Sequence, residues 1–293
     1  MANPKLPTNG THELQERYTP TIIKLKRKEN VVRQHFGNDY TGSPLAGAVK
    51  FTKRNTEVAV NDYDVVLGAT LTTSTTEYVN VLIKNDEAIN ELIDGYEAGA
   101  VPDNLKAQRI ESGAYSLGRS QETKAVKILE NDGTAEATLT ETATNDMYNT
   151  IVGSIKNLKK FGVKTNEMMI VISPDTEEKL LTDTKYSNTA STIGADLVRQ
   201  GIVSKIAGVP VVLSLDLMEE DTEYEAGKLT TTEYLVFGKP WAQKAEDWKV
   251  DVMINDIKNG KHIGSSALQG RIVYQDVLLD ETTCRVKLYQ TAA

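Results

Sequence analysis

The chain has 293 residues, 40% hydrophobic and 25% charged, with a formal net charge of −8. That is enough for one large or two ordinary soluble domains, and no run approaches the roughly 20 apolar residues of a membrane span. The single cysteine, Cys284, excludes an intrachain disulfide and any metal site built from several thiolates, and the opening MANPKLPTNG lacks the apolar core of a secretory signal, so cytosolic synthesis is expected.

The net charge hides an asymmetry. Residues 1–54 hold ten Lys/Arg and four Asp/Glu, whereas the rest hold 23 and 37. A basic arm on an acidic body suits self-association between copies, arm to body; the alternative is a solvated tail. An acidic body with no aromatic-and-basic stripe argues against tight nucleic-acid binding.

Residues 1–45 read as an irregular arm, punctuated by Pro4, Pro7, Pro20 and Pro44. A short helix with a basic face is expected at 21–36. So little apolar content cannot offset the entropy of ordering, so the arm should order only against another surface. Residues 46–84 alternate Val49 and Phe51, then Val58 and Val60, then Val79, Val81 and Ile83. The expectation is a long, half-exposed antiparallel ribbon turning within 52–57. Such edges are a hazard in a monomer but not on a neighbouring subunit.

Ile89, Leu92, Ile93 and Tyr96 sit at helical spacing and predict a short amphipathic helix over 86–98. A break at 99–102 follows. A long helix then starts after Asp103, a suitable N-cap, and runs to Asn131-Asp132-Gly133. About 27 residues make it roughly 40 Å long, a strut for an extended, flattened body. Thr144 caps a third helix bearing Met147, Ile151, Ile155 and Leu158. EMMIVIS at 167–173 reads as a central strand, and Ser173-Pro174 as the start of another helix. A Thr/Ser/Asn-rich loop over 182–192 leads to a helix at 193–199. In 201–215, GIVSKIAGVPVVLSL, a polar lead enters a turn that opens onto a buried strand, so residues 144–215 form an α/β layer. Trp248, Val250, Val252 and Ile254 alternate with polar neighbours as a half-buried strand, and Asn259-Gly260 predicts a tight hairpin. Residues 271–279 and 284–288 read as a further strand pair around 280–283.

No catalytic constellation emerges. His12, His35 and His262 are scattered, with no HxH or HExxH, and the two in the arm are expected to be solvated. There is no phosphate-binding GxxxxGK loop, no GxGxxG and no GxSxG. The acidic run 216–225, DLMEEDTEYE, lacks the calcium-loop pattern. Cys284 lies in an alternating strand as an apolar filler. No catalytic, cofactor or metal residue is assigned, and a structural role gains weight.

The order of elements, with the stretches 201–215, 234–256 (YLVFGKPWAQKAEDWKVDVMIND) and 270–288 (GRIVYQDVLLDETTCRVKL), resembles the major capsid proteins of tailed bacteriophages, the Hong Kong 97-type α+β fold. The resemblance implies an N-terminal arm at 1–45, an extended β-hairpin loop at 46–84, a peripheral domain with a spine helix at 85–143, an α/β axial domain at 144–238, and C-terminal strands of the peripheral domain at 239–293. It implies a structural protein without cofactor, not an enzyme. Many copies, as pentamers and hexamers, would close an icosahedral shell around double-stranded DNA held weakly and without sequence specificity. It further implies a location in the virion, assembly in the bacterial cytoplasm, a portal protein and no membrane. The arm is too short for the scaffolding segment some members carry, so a separate scaffolding protein and no maturation cleavage are expected. Candidate interface residues are Lys24, Lys26, Arg27, Lys28, Arg33, Lys50, Lys53 and Arg54. Lys53 is also the candidate, by position, for the lysine–asparagine crosslink of some relatives. An encapsulin-type compartment, a phage tail protein and a cytosolic enzyme remain the alternatives.

Overall fold

The computed structural model describes residues 27–28, 30–54, 57–73, 76–93, 104–137, 139–140, 146–183, 202–217, 223–225, 228–257 and 264–290. Among them, three sheets and one long helix organise the chain.

Helix α1 (Asn104–Asp132) has 29 residues, about 43 Å of strut. Leu117, Gln121, Glu122, Ala125, Val126 and Leu129 recur with the helical period and are buried. Near its start the helix crosses a three-stranded antiparallel sheet of β4 (Asn85–Ile93), β12 (Ala242–Asp256) and β13 (Ser266–Leu278), ordered β12-β13-β4. Leu117, Ile272 and Tyr274 form that contact. Gly113 of the helix allows the approach: a Cβ there would stand 3.1 Å from Val252 Cγ1 and 3.3 Å from Leu268 Cδ2.

The second sheet is eight-stranded. It contains β5 (Thr134–Ala135), β6 (Leu139–Thr140), β7 (Met168–Ile172), β8 (Ile202–Ile206), β9 (Val209–Leu213), β10 (Glu223–Glu225), β11 (Lys228–Gly238) and β14 (Cys284–Gln290). The central strand β7 pairs antiparallel with β11 and parallel with β9. All five of its residues are buried because both faces are covered. Met169 and Val171 meet α1 residues Ala125, Val126 and Leu129. Met168, Ile170 and Ile172 meet Met147, Ile151, Ile155 and Leu158 of α2 (Met147–Lys160), with Leu180 of α3 (Pro174–Thr182). Ser173 Oγ accepts the Thr176 N–H at 3.2 Å and Pro174 sits in the first turn of α3, the cap expected there. Ala207 and Gly208, at φ 49° and 84°, make the tight turn between β8 and β9.

The third sheet is the ribbon: β1 (Thr41–Ser43), β2 (Ala48–Arg54) and β3 (Thr76–Leu82), ordered β1-β2-β3.

Five local expectations are corrected. Residues 85–93 form strand β4, not a helix. Nine residues of β13 hold it in register from Ser266↔Ile93 to Tyr274↔Asn85, and this pairing overrides helical spacing. Residues 52–54 continue β2, opposite Tyr78, Glu77 and Thr76, so the ribbon does not turn within 52–57, and Val58 and Val60 lie in the connecting loop. The polar lead at 202–206 is itself a strand, paired with β9. β13 and β14 do not pair with each other. Asp280 Oδ1 accepts the Thr282 N–H at 3.0 Å and caps a 3-10 turn over Glu281–Thr283, and this corner passes the chain into the other sheet. The helix expected over 21–36 is, among the described residues, only a 3-10 turn at Arg33–His35. Helix α2 is capped by Asp146, whose carboxylate accepts the Asn149 N–H; Thr144 lies outside the described residues. So do the break at 99–102, the helix at 193–199 and the Asn259-Gly260 turn.

Candidate functional site: the arm root and the ribbon

The arm becomes part of the body at residue 31. The backbone N–H groups of Val31 and Val32 donate to Glu122 Oε1 at 2.9 and 2.6 Å, and that of Arg33 donates to Oε2 at 2.9 Å. Three consecutive N–H groups cup one carboxylate of α1, an anion nest with charge-assisted hydrogen bonds. Around it Val31, Val32 and Phe36 enter the core beside Leu129, Met169 and Phe237, with Phe36 edge-on to Phe237 at 5.8 Å between centroids. One step on, Gly37 donates to the Ala242 carbonyl (2.8 Å) and accepts from Lys244 N–H (2.9 Å), which zips the arm along β12. A side chain at Gly37 would collide with Gln243, whose Oε1 accepts the Asp39 N–H.

Arg33 is 7% exposed. Its Nε donates to both oxygens of Asp276 at 3.0 Å, and its Nη1 to Glu246 Oε2 at 2.5 Å and to Gln121 Oε1 at 3.2 Å. Burial works against the charge, but Asp276 and Glu246 more than offset it and hold the guanidinium above its ordinary pKa. Of the eight candidate interface residues, Arg33 joins the arm, α1, β12 and β13 within one chain. Residues 31–36 supply the apolar anchor that the low apolar content of the arm did not suggest.

The other candidates divide between α1 and the ribbon. Arg27 pairs with Glu111 at 2.5 Å and lies over the Tyr115 ring. Lys28 bonds Tyr115 Oη through its N–H and the Leu215 carbonyl through its Nζ. Lys50 stands exposed on β2. Lys53 reaches the Leu279 carbonyl (3.3 Å) and Asp280 (3.4 Å) of its own chain. Lys24, Lys26 and the Arg54 side chain lie outside the described residues. His35 is half-buried rather than solvated. Desolvation, with Lys239 nearby, pulls its pKa down to about 4. His12 and His262 lie outside the described residues. Cys284 is fully buried, 3.6 Å from the Leu129 carbonyl, and burial pushes its thiol pKa up, as befits a filler.

The feature that sequence reading missed is the loop joining β2 to β3. Val58, Val60, Tyr63, Val65, Val66, Leu67 and Leu71 are each at least 64% exposed. Asp64 Oδ1 accepts the N–H groups of Val66 and Leu67 at 2.7 and 2.8 Å, and a bridge links Asp64 to Gly68. Those bonds hold the Asp64 carboxyl below the usual range and set Val65–Leu67 into a tight apolar turn. Exposed apolar side chains gathered in one loop are a feature of interaction surfaces. Its signal was present in the valine-rich stretch at 58–71, read there as strand.

No family model and no curated protein matches the chain. Solved structures do. A structure from Mycobacterium phage Che8 is 16% identical with a TM-score of 0.68, covering 94% of this chain and 97% of that one. The capsid structure of cyanophage P-SCSP1u is 12% identical with a TM-score of 0.71, covering 95% and 93%. The chain has a phage capsid protein fold. The capsid of a native GTA particle, 11% identical with a TM-score of 0.64, is matched over 98% of both chains. The match in each case runs over nearly the whole chain.

Proposed function

We propose that this chain is the major capsid protein of a tailed phage, a structural protein whose copies close into an icosahedral head around double-stranded DNA. The observation that carries the reading is coverage: capsid structures match nearly the whole chain, and nearly the whole of their own chains, in one superposition. The exposed apolar turn of the ribbon adds physical support, because it gains burial only against another molecule. In this reading residues 46–84 overlap a neighbouring subunit, α1 is the spine of the peripheral domain, and 144–238 form the axial domain, joined from 239–293 by β14. The net acidity keeps the body from gripping packed phosphate. A scaffolding protein and a portal protein complete the assembly.

Negative-stain electron microscopy of the expressed chain, alone and with a scaffolding partner, tests this. Closed shells tens of nanometres across are expected, and native particles should contain DNA. An enzyme cargo in place of DNA would move the reading to a nanocompartment. Stacked narrow rings would move it to a tail component, and monomers or dimers under both conditions would overturn it.

A further inference from the structure

Helix α2 carries Lys156, Lys159 and Lys160 on one exposed side, at i, i+3 and i+4. None of the three has a hydrogen-bond or ion-pair partner among the described residues. In an acidic protein this is a local concentration of repulsion that nothing among the described residues relieves. The three lysines rim an open groove of about 390 Å³, whose floor is Val152, Ile155 and Ala207 of the β8–β9 turn. Apolar floor and cationic rim together select an occupant that is acidic and partly apolar.

The same subunit offers such a surface elsewhere. On α3, Asp175, Glu178 and Leu181 are spaced by three residues and face outward, with Leu181 64% exposed. Neither carboxylate has a partner among the described residues.

The two surfaces cannot meet within one chain. Helix α2 ends where β7 begins, beside the β8–β9 turn, because β9 runs parallel to β7 from Val209. Helix α3 starts where β7 ends, directly after Ile172. The N-terminus of α2 lies at that far end too, with the Tyr148 N–H donating to Asp183 Oδ2 at 3.4 Å. Groove and acidic face therefore stand at opposite ends of one layer. Two complementary, non-identical patches on one subunit make a head-to-tail contact, which closes into a ring when the rotation allows.

We propose that the lysine-rimmed groove on α2 receives the outward Asp175–Glu178–Leu181 face of α3 from a second copy of this chain, and that this contact joins neighbours within each ring of subunits. The pairing rests on the shell reading above and names the residues that would carry it.

Charge reversal tests it in the full-length chain. One variant carries Lys156→Glu, Lys159→Glu and Lys160→Glu, another Asp175→Lys and Glu178→Lys, and a third carries both sets. All five side chains lie on the surface, and circular dichroism and thermal melts confirm the fold of each variant. Each single set should lower shell yield by about tenfold or more, since like charges meet at every contact. The combined set, complementary again at every contact, should restore it. Wild-type yield from either single set overturns the pairing. So does a lysine set that the combined variant fails to rescue, which would assign the groove to a different anionic partner such as nucleic-acid phosphate. A wild-type chain that never assembles overturns the shell reading and the pairing with it, so the two failures are distinguishable.

Discussion

Arg33 holds one buried cation between two carboxylates and a glutamine from three different elements. Arg33→Ala strands Asp276, which has no side-chain exposure, with its charge uncompensated. Breaking a buried pair from one side costs about 3–5 kcal/mol, so urea denaturation of the assembly-incompetent subunit should show a loss of that order. Arg33→Met with Asp276→Leu, an apolar replacement for the pair, should recover much of it. Two residues away, His35 makes stability pH-dependent. Its Nε2 is buried without a partner among the described residues, and its folded pKa of about 4 lies below the unfolded value of about 6.5. The unfolded chain therefore binds the proton first. The His35 contribution is whole above about pH 6.5 and drains away as pH falls through about 4. Midpoints of unfolding followed from pH 7 to pH 4 should fall, and His35→Asn should flatten that slope; an unchanged slope would remove His35 as its source.

In the sheet beneath α1 the closest approach runs through Gly270 of β13, against Val252 of β12. A methyl there meets Val252 Cγ2 at 2.7 Å and the Val252 main chain at 3.3 Å, so the neighbour cannot simply rotate away. Gly270→Ala should cost about 1–3 kcal/mol by overpacking, read as a lower melting temperature. A variant as stable as the parent would mean that β12 and β13 are not in tight contact there. The same region shows what the sequence could and could not disclose. The long helix was legible because its apolar residues repeat over eight turns without a proline. EMMIVIS was legible because a strand covered on both faces is apolar throughout. Residues 85–93 were misread because Glu87, which points toward α1, is charged. Lys124 Nζ meets it at 2.5 Å and Ser120 Oγ at 2.9 Å. That partnered inward carboxylate breaks the alternation of the strand, leaving Ile89, Leu92 and Ile93 to imitate a helix face. Arg33 was placed on the surface for the same reason: its partners lie 88 to 243 positions away, and no local pattern encodes them.

At the scale of the whole molecule, the ribbon contributes little to its own subunit. Among the described residues of its strands only Val49 and Phe51 are buried, against Ala245, while the loop between β2 and β3 carries seven exposed apolar side chains. Joining Arg54 to Thr76 through a two-residue Asn-Gly turn closes the ribbon at its observed register. The shortened subunit should melt within about 0.5 kcal/mol of the parent and fail to form closed shells; intact shells would show that the tip makes no contact that assembly needs. The Glu122 nest acts at the root of the arm. Its three donors are main-chain groups, so the grip depends on the path of the arm and not on which side chains it bears. Glu122 also sits well inside α1, away from either end. Tension applied to the tail would reach α1 through that carboxylate as a sideways load on the span of a 29-residue beam.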